Sequence, residues 1–506
     1  MAAALRPALV FIGFMAAGKS TAAREVAAEL GVPVRDSDRL LQERFGEPIQ
    51  SFFDREGEPA FRAAEEALVC ELLERADGEV VALGGGALGS ERVRAALARH
   101  SVVLVDVDLD TAWARAAEGG RPLARDRDRF AALYAERAAT YEAAARAIVP
   151  GRGRGTAARA ATALRDRPDG LTLLWATAAS GDYPVWVGAG AARRAPWPAS
   201  GRRLAVTDGN VAAAQPTLLE GAETVETIPA GEEHKTLATA ERLWTALVRA
   251  GATRADHVVG VGGGVVGDLA GFVAATYQRG VPVVHVPTTI VAQVDSAYGG
   301  KTGVDLPEAK NYVGAYHQPA GVLVDPGALD TLPPAERAAG YAEVVKTALI
   351  AGGPLWDRVA AGAPVDEDIV VACARAKLRV VAADERDAGA RQVLNLGHTV
   401  GHAIETVTGY ARYRHGEAVG LGLLAALRLS GQDALRAQVR ELLAAAGLPI
   451  RLDGADPAAV VAATARDKKR VGGEVPFVLV RAAGDVRHGE PVAAADLDAA
   501  VRELAT

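Results

Sequence analysis

Cysteine is almost missing from this sequence, which has only Cys70 and Cys373 among 506 residues. Two cysteines so far apart exclude a disulfide framework and predict a reducing, cytoplasmic environment. Long apolar runs are missing too, since no segment approaches the roughly 20 residues that span a membrane. The first apolar run, MAAALRPALVFIGF, is too short for a signal peptide, so we expect neither secretion nor membrane insertion.

An excess of positive charge is also absent. The chain has 63 acidic and 56 basic residues, for a net charge of −7. This balance gives no general attraction to nucleic acid or to an anionic membrane. Individual lysines and arginines are therefore interpreted as local contacts to small anionic substrates. Aromatic residues are few, at 5%, but half of the chain is hydrophobic, which is ample for large cores.

The pattern of apolar segments predicts an α/β protein with several domains. Strand-like segments such as ALVFIGF and SVVLVDV alternate with alanine-rich helical ones such as KSTAAREVAAEL, which is typical of βαβ units and a parallel sheet. Later strands include DHVVGVGGG and VPVVHVPTT, and after Leu329 the pattern is mainly helical, with a late PFVLV strand. We predict an α/β domain over 1–166, a linker over 167–180, a second α/β domain over 181–328 and a mainly helical domain over 329–506.

A phosphate-binding loop follows the first predicted strand. GFMAAGKS, from Gly13 through Gly18 to Ser20, fits the pattern G-x-x-x-x-G-K-[ST] between a strand and a helix. Backbone N–H groups of such a loop hold phosphate oxygens. Lys19 would reach the β- and γ-phosphates of ATP, and Ser20 would bind Mg²⁺.

Residues after the next strands suggest an acceptor site. Asp36 and Asp38 follow a strand, where one carboxylate can hold a metal-bound water and the other can accept the proton of an attacking hydroxyl. The glycines at 84–86 form either a ligand-binding turn or a plain packing turn. Arg62 lies on a predicted helix, where arginine is usually a surface residue. Arg121, in an arginine-rich segment, could close over the transferring phosphoryl group.

Together these motifs resemble the shikimate kinase family over about 1–166. The resemblance rests on the loop, DSD at 36–38, FR at 61–62, GGG at 84–86, RPL at 121–123 and ERAATY at 136–141. It implies that shikimate is held by Asp38, Arg62, Gly85 and Arg137, that Asp36 positions Mg²⁺ through water, and that Arg121 is a lid arginine. Ala16 departs from the glycine of many members, at a position that the general loop pattern leaves free. Other P-loop kinases, such as gluconate kinase, are the nearest alternative.

The second half has its own glycine-rich turn. VGGGVVGDLAGF follows a predicted strand but lacks the G-x-G-x-x-G pattern, so it predicts a pyrophosphate site at a helix start without a Rossmann fingerprint. A polar segment follows, containing Thr288, Thr289, Asp295 and Lys301. Lys310 comes soon after it. Such lysines beside a nucleotide turn favour phosphate or carboxylate ligands, although solvated surface lysines are the simpler alternative.

Three of the nine histidines lie close together in LNLGHTVGHAIE and the later HGE. A spacing of four places His398 and His402 on one helix face, as in zinc-binding H-E-x-x-H helices. A threonine follows His398, however, so the glutamate base of that motif is missing. Zinc catalysts commonly use three protein ligands. If only one helix histidine joins His415, a carboxylate must come from elsewhere.

From about 183 to 506 the chain resembles the 3-dehydroquinate synthase family. The motifs are PAGEEHKT, GGGVVGD, TYQRG, PTT, VDSAYGGKTGVD, KNYVGAYHQP, GYAEVVK, RQVLNLGHTVGHAIE, HGEAVG and DKK. The resemblance implies that Glu343, His398 and His415 bind Zn²⁺ or Co²⁺, whereas His402 faces the substrate. Ala297 and Tyr298 depart from the usual VDSSVGG. The synthase half would form a homodimer.

The resemblance also implies the residues that bind NAD and the substrate DAHP, a seven-carbon sugar acid phosphate. The implied NAD-binding residues are Asp208, Asn210, Glu232, Lys235, Gly264, Val265, Val266, Gly267, Asp268, Thr288, Thr289, Lys301 and Lys310. The implied DAHP-binding residues are Arg279, Asp295, Lys301, Asn311, Lys346, Lys377, Arg391, Asn395, His402, and Lys468 or Lys469. Over both halves, the predicted catalytic residues are Lys19, Asp38, Arg121, Lys301, Arg391 and His402.

The implied reactions are ATP-dependent phosphorylation of shikimate and conversion of DAHP to 3-dehydroquinate with release of phosphate. In the second reaction NAD accepts a hydride and returns it, so there is no net redox change. The alternatives are a related cyclase acting on sedoheptulose 7-phosphate, a relative of iron-dependent alcohol dehydrogenases, or a non-catalytic regulatory module in one half. Arg391 and the DKK lysines favour the sugar acid among the cyclase substrates.

Overall fold

The computed structural model describes residues 5–118, 126–307, 309–464 and 476–506. It divides into two compact units, Met1–Thr177 and Ala178–Thr506. The boundary falls inside the segment 167–180, which the sequence predicts to be a linker. That segment is not irregular throughout, because it contains a strand that pairs with the first unit's sheet.

The first unit is built on a parallel sheet. Its strands are β1 (Leu9–Ile12), β2 (Val34–Asp36), β3 (Val80–Ala82), β4 (Ser101–Asp106), β5 (Ala147–Pro150) and β6 (Thr172–Ala178). They pair in the order β2-β3-β1-β4-β5-β6. Strands β1, β3 and β4 are apolar and buried, as expected of parallel strands covered on both faces.

Over the described residues, seven helices connect these strands. They are α1 (Lys19–Leu30), α2 (Ser37–Phe45), α3 (Ile49–Arg75), α4 (Glu91–Leu97), α5 (Leu109–Glu118), α6 (Arg127–Ala144) and α7 (Thr156–Arg165). Helix α1 ends at Gly31, whose φ of 66° is the left-handed conformation that glycine adopts without strain. Helix α3 bends at Gly57, two residues before Pro59, because neither residue continues a regular helix.

The second unit also contains a set of parallel strands. Its strands are β7 (Gly181–Val187), β8 (Arg203–Asp208), β9 (Thr224–Ile228), β10 (His257–Gly262), β11 (Val283–Pro287) and β14 (Gly321–Val324). They pair in the order β7-β14-β11-β10-β8-β9. Two antiparallel hairpins stand apart from it, β12 (Lys301–Leu306) with β13 (Ala309–Tyr316), and β15 (Phe477–Ala482) with β16 (Asp485–Glu490).

The helices of this unit fall into two groups. Those among the sheet strands are α8 (Ala191–Arg194), α9 (Gly209–Ala214), α10 (Leu237–Arg249) and α11 (Gly264–Thr276). The helical region comprises α12 (Pro334–Ala351), α13 (Gly353–Ala360), α14 (Glu367–Ala383), α15 (His398–Val407), α16 (His415–Leu429), α17 (Asp433–Ala445), α18 (Pro457–Thr464) and α19 (Ala494–Leu504). A π-helical turn, Ala292–Ser296, follows β11.

Each unit has a buried core of its own. In the first, Leu41, Phe61 and Leu68 pack together from α2 and α3. In the second, apolar side chains of α10 and α11 pack against β8, β10 and β11. Each unit also contains one cysteine, Cys70 on α3 and Cys373 on α14, and both are buried and free.

The predicted α/β class is confirmed, including the mainly helical region after Leu329 and the late PFVLV strand. Four strands of the structure, β5, β6, β12 and β13, are not among the sequence predictions, and neither is the short β14. Over the described residues, no helix is long and apolar enough to cross a membrane.

Candidate active sites

The phosphate loop joins β1 to α1 through unusual backbone conformations. Gly13 and Gly18 have φ of 142° and 98°, and a Cβ at Gly13 would lie 2.7 Å from the carbonyl oxygen of Val105. Ala16 also has a positive φ, of 60°. Lys19 Nζ donates to the carbonyl oxygen of Phe14, 3.0 Å away, so the lysine bends back across the loop. The strand, loop and helix follow one another as the sequence pattern predicts.

The glycine turn at 84–86 lies between the phosphate loop and the predicted acceptor residues. A Cβ at Gly84 would approach Asp38 Oδ1 to 2.6 Å and Glu65 Oε1 to 2.7 Å. A Cβ at Gly86 would lie 2.7 Å from Arg62 Cζ, and one at Gly85 would lie 3.8 Å from Lys19 Nζ. The turn therefore needs glycine because functional side chains surround it. It brings the predicted kinase residues together at the carboxyl end of β3.

Helix α6 supplies the second predicted arginine of this site. Arg137 donates to the carbonyl oxygen of Gly85 at 3.0 Å, and the hydroxyl of Tyr141 donates to the same oxygen at 2.5 Å. Burial raises the pKa of Tyr141 to about 12, so the hydroxyl stays protonated. Arg137 is thus held beside the glycine turn.

Two residues of the kinase site were not predicted from the sequence. Glu65 is buried and pairs with Arg62 at 2.6 Å, and burial raises its pKa against the opposing effect of Arg62. Arg115 donates to the carbonyl oxygens of Gly151 at 2.8 Å and Ala16 at 3.4 Å, which supports the loop from outside. Neither residue is singled out by a sequence motif.

Asp36, predicted to position Mg²⁺ through water, has a structural role in this fold. Its Oδ1 accepts from the N–H groups of Asp38 at 3.1 Å and Arg39 at 3.3 Å, which caps α2. Ser20 is exposed on the first turn of α1, where it is open to a ligand. Arg121, the predicted lid arginine, lies outside the described residues.

In the second unit, the predicted nucleotide residues meet at the carboxyl ends of β8, β10 and β11. Asp208 caps α9 by accepting from the N–H groups of Asn210 at 2.8 Å and Val211 at 3.0 Å. Helix α11 begins at Gly264 with no side-chain cap, so its first N–H groups are available for a pyrophosphate. The turn packs closely, because a Cβ at Gly263 would lie 2.9 Å from the Thr289 side chain.

A buried lysine organises the charges beside this turn. Lys235 Nζ lies 2.9 Å from Glu232, 3.3 Å from Asp268 and 2.9 Å from the side-chain oxygen of Asn311. Burial raises the pKa of Asp268 to about 6, although Lys235 opposes the shift. Asn311, predicted to bind DAHP, therefore contacts the predicted NAD group. Lys310 is 3.7 Å from Glu232 on the same side.

The predicted metal ligands converge from α12, α15 and α16. Glu343 Oε1 lies 3.6 Å from His398 Nε2 and 3.4 Å from His415 Nε2. Glu343 is fully buried, and among the described residues neither of its carboxylate oxygens has a hydrogen-bond partner. Lys346 Nζ lies 2.5 Å from Oε2 as an ion pair without hydrogen-bond geometry. Oε1, which lies near both imidazoles, fits a divalent cation such as Zn²⁺ or Co²⁺ together with the two histidines.

Local contacts orient the histidines toward Glu343. His398 Nδ1 lies 3.1 Å from the carbonyl oxygen of Leu396, which leaves Nε2 for a metal. Burial lowers the pKa of His398 well below its ordinary value, so the imidazole is neutral, the form that ligates. Burial acts to raise the pKa of Glu343, yet Lys346 and the histidines together lower it well below its ordinary value.

His402 is brought near the other two histidines, outside the group that they form with Glu343. Its ring centroid lies 5.2 Å from that of His398 and 6.0 Å from that of His415, and the side chain is exposed. A second donor group, formed by His402, Glu405 and His415, therefore overlaps the first. Glu405 was not predicted from the sequence.

Several predicted substrate residues form an ion-pair chain that leads away from the metal group. Asp295, on the π-helical turn, accepts from Lys346 at 2.6 Å and contacts Lys377. Burial lowers the pKa of Lys377 to about 7, against the opposing effect of the Asp268 and Asp387 carboxylates. Lys346 thus bridges Asp295 and Glu343.

The remaining predicted substrate residues described here contact other groups of the protein. Arg391 is buried, and its guanidinium donates to the carbonyl oxygens of Gly299 at 3.1 Å and Glu385 at 2.5 Å. Lys301 pairs with Asp387 at 2.5 Å, a partner that was not predicted. The side chain of Asn395 donates to the carbonyl oxygen of Gln392. In this structure, therefore, these side chains contact protein groups.

Arg279 is not brought to this site. It is exposed in the turn that precedes β11, whereas Thr288 and the glycine turn lie at the opposite, carboxyl edge of the sheet. Lys468 and Lys469 lie outside the described residues.

The departure at Ala297 and Tyr298 is accommodated inside the protein. Tyr298 is buried, and its hydroxyl donates to the carbonyl oxygen of Gln293 at 2.6 Å, within the turn that carries Asp295. The hydroxyl of Tyr183, on β7, accepts from the N–H group of Gly299 at 3.4 Å. The larger side chain therefore has a hydrogen-bond partner and a place in the core.

Fold and geometry together define a class of protein: a P-loop unit followed by a unit with a parallel-sheet nucleotide site and a helical metal site. Family models identify both parts. The shikimate kinase model matches residues 15–166. The 3-dehydroquinate synthase N-terminal and C-terminal models match residues 225–339 and 340–470. The chain belongs to the 3-dehydroquinate synthase family and carries a shikimate kinase domain before it.

Similar proteins support this assignment. The 3-dehydroquinate synthase of Symbiobacterium thermophilum is 45% identical over 343 residues, which cover 62% of this chain and 94% of that protein. That of Halorhodospira halophila is 44% identical and covers 62% and 93%. A solved 2-epi-5-epi-valiolone synthase from Streptomyces hygroscopicus, with NAD⁺ and Zn²⁺ bound, has 27% identity and a TM-score of 0.58, and covers 64% of this chain and 96% of its own.

A second solved structure is a 2-deoxy-scyllo-inosose synthase complexed with carbaglucose-6-phosphate, NAD⁺ and Co²⁺. It has 26% identity and a TM-score of 0.58, and covers 66% of this chain and 99% of its own. These structures share the second unit's fold, but their sequences are less similar to this chain than those of the dehydroquinate synthases. A shared fold alone does not identify the substrate.

Proposed function

We propose that the protein is a bifunctional enzyme of aromatic biosynthesis. The first unit phosphorylates shikimate with ATP, and the second converts DAHP to 3-dehydroquinate and phosphate with NAD and a divalent metal. The observation that carries this proposal is the convergence of Glu343, His398 and His415 beside the ion pair of Lys346 and Asp295, in a chain that also has a complete phosphate loop.

In the kinase unit, the proposed roles follow from charge and position. The N–H groups of the loop and Lys19 bind ATP phosphates, and Ser20 with Asp36 binds Mg²⁺. Asp38, beside Gly84, accepts the proton of the attacking hydroxyl. Because a guanidinium fork matches a carboxylate, Arg62 and Arg137 would grip the carboxylate of shikimate.

In the synthase unit, the N-terminus of α11 and the group around Lys235 would hold NAD, and the lysines near Asp295 would bind the anionic substrate. When bound, the metal supplies Lewis-acid polarisation of substrate oxygens and NAD supplies temporary acceptance of a hydride. His402, exposed beside the metal group, would hydrogen-bond the substrate. Substrate would displace the contacts that Lys301 and Arg391 make with protein groups.

The deciding experiment offers DAHP and sedoheptulose 7-phosphate separately to Co²⁺- or Zn²⁺-loaded protein with NAD⁺, and identifies the products by NMR. We expect 3-dehydroquinate and free phosphate from DAHP alone. Turnover of sedoheptulose 7-phosphate alone would overturn the synthase assignment and reopen the choice of kinase acceptor.

A parallel experiment tests the kinase. ADP release is measured with ATP and Mg²⁺ in the presence of shikimate or gluconate, and the phosphorylated product is identified by mass spectrometry. We expect ADP release with shikimate only, and its loss in Lys19→Ala. Release with gluconate but not shikimate would overturn shikimate as the acceptor, since gluconate phosphorylation is the function of the rival kinases. It would not contradict carboxylate binding by Arg62 and Arg137, because gluconate also carries a carboxylate.

We also propose a cytoplasmic homodimer. Two free, buried cysteines suit a reducing compartment, and pairing through the synthase half follows from the resemblance to that family. Sedimentation equilibrium of the full chain tests the dimer, and a monomer at micromolar concentration would contradict it.

A further inference from the structure

Glu405 is a buried carboxylate at the metal group that the proposed reaction does not use. It lies on α15, near the end opposite His398, and its side chain is 5% exposed. Its Oε2 is 3.4 Å from His415 Nδ1. The other ring nitrogen of His415, Nε2, is 3.4 Å from Glu343 Oε1. The imidazole of His415 therefore lies between two carboxylates, one at each nitrogen.

We propose that Glu405 is a positioning residue that prepares His415 for the metal. By accepting the hydrogen of Nδ1, the carboxylate selects the tautomer whose Nε2 lone pair faces Glu343 and His398, and fixes the plane of the ring. Carboxylate partners of this kind orient metal-bound histidines and make them stronger ligands. His398 receives the equivalent support from a backbone carbonyl, that of Leu396.

A second contact holds Glu405 in this role. Lys310 Nζ lies 3.7 Å from Glu405 Oε1 and 4.2 Å from the centroid of the Tyr410 ring. A buried carboxylate needs charged or hydrogen-bonding partners, and here each oxygen has one. Since Lys310 also approaches Glu232, Glu405 connects the metal group with the charges of the nucleotide site.

The overlapping group of His402, Glu405 and His415 offers a rival interpretation, in which Glu405 ligates a second cation. Two features disfavour it. His415 would have to give both ring nitrogens to metals, which a neutral imidazole cannot do because one nitrogen carries a hydrogen. The Lys310 ammonium beside Glu405 would also repel a second cation.

The test is Glu405→Gln in the full-length protein, because glutamine keeps the shape of the side chain and removes its charge. Co²⁺ affinity is measured by competition with a chromophoric chelator, and the Co²⁺ absorption spectrum reports the ligand set. We expect affinity to fall about 10- to 100-fold with the spectrum unchanged. Glu441→Gln, an exposed position on α17, is the matched control and should retain full affinity.

Unchanged affinity in Glu405→Gln would overturn the proposal. So would an altered spectrum with loss of one bound equivalent, which would make Glu405 a ligand of a second ion. If Glu405→Gln does not fold, Glu405→Asp, which keeps the charge but withdraws the oxygen from Nδ1, is judged by the same two readouts.

The proposal rests on the proposed metal site, and His398→Ala separates the two. Full Co²⁺ affinity in His398→Ala would show that the metal site itself is wrong. Loss of affinity there, together with wild-type affinity in Glu405→Gln, would reject only the positioning role.

Discussion

Ala16 shows how one residue can carry backbone strain inside a functional loop. Its φ of 60° lies in the left-handed region, which costs a residue with a side chain roughly 1–2 kcal/mol relative to glycine. Its carbonyl oxygen nevertheless accepts from Arg115, so the conformation is held by a neighbour. The loop has therefore kept its shape at a local cost in stability.

We predict that Ala16→Gly stabilises the first unit by about 0.5–1 kcal/mol, because relief of strain exceeds the extra unfolded-state entropy of glycine. Thermal unfolding of the full chain measures the change. Titration with ATP identifies which unfolding transition belongs to the first unit. Ala17→Gly is the control, since Ala17 is buried at an ordinary φ and should lose stability. Equal destabilisation by both changes would contradict the strain at Ala16.

The hydroxyl of Tyr298 gives a second prediction at this scale. Tyr298→Phe leaves the buried carbonyl oxygen of Gln293 without this donor, so we expect a loss of about 1–3 kcal/mol in the stability of the second unit. Differential scanning calorimetry measures it. Tyr312→Phe, at an exposed position, should change stability by no more than about 0.5 kcal/mol. If both substitutions changed stability equally, the hydrogen bond of the Tyr298 hydroxyl would make no specific contribution to stability.

At the scale of elements, the metal group depends on how closely α15 and α16 approach. A Cβ at Gly422, on α16, would overlap the carbonyl of Gly397, whose carbon would be 2.9 Å away. Gly397 immediately precedes His398, so the two helices bring their histidines together through a backbone contact. A Cβ at Gly420, on the same helix, would meet only Leu443 at 3.5 Å and Ala342 at 3.9 Å.

We predict opposite outcomes for two alanine substitutions on α16. Gly422→Ala should push α15 away, lower stability by about 1–3 kcal/mol and weaken Co²⁺ binding, because backbone cannot yield as a side chain can. Gly420→Ala should be tolerated and could raise stability by up to about 1 kcal/mol through helix propensity. Thermal unfolding and chelator competition measure both effects. Intact Co²⁺ affinity in Gly422→Ala would show that the backbone contact between α15 and α16 does not determine the geometry of the metal site.

Elements with strong patterns were predictable from sequence. β10 and β11 were identified because continuous apolar runs end at glycine and threonine. β5 and β14 are only four residues long, too short to distinguish from apolar loops. The hairpin of β12 and β13 was missed because its polar residues had indicated a binding segment. Its strands are held by each other and by contacts distant in sequence, such as Lys301 with Asp387.

The same limit applies to the sites. The histidine spacing indicated a metal site, but it could not identify Glu343, which lies earlier in the chain on α12. The family resemblance supplied that residue. Glu65 and Glu405 each stand on amphipathic helices where glutamate is usually solvated. Only the tertiary fold shows that both are buried and face functional groups.

At the scale of the whole molecule, two compact units predict separable activities. Lys19→Ala should abolish phosphorylation of shikimate and leave the synthase rate within about twofold, whereas His398→Ala should do the reverse. Both rates are measured on the same full-length preparations, with circular dichroism to confirm folding. Loss of both activities in either variant would contradict independent sites, since each change removes a group from one unit only.

The distribution of cysteine has a practical consequence for the study of this chain. Each unit holds one thiol, buried and unpaired, Cys70 in the first and Cys373 in the second. A thiol reagent can reach either group only when its surroundings open, so labelling kinetics report the opening of each unit separately. Peptide mass spectrometry would resolve the two labels. The natural protein thus carries a probe of local stability in each unit, and no labelling site has to be engineered.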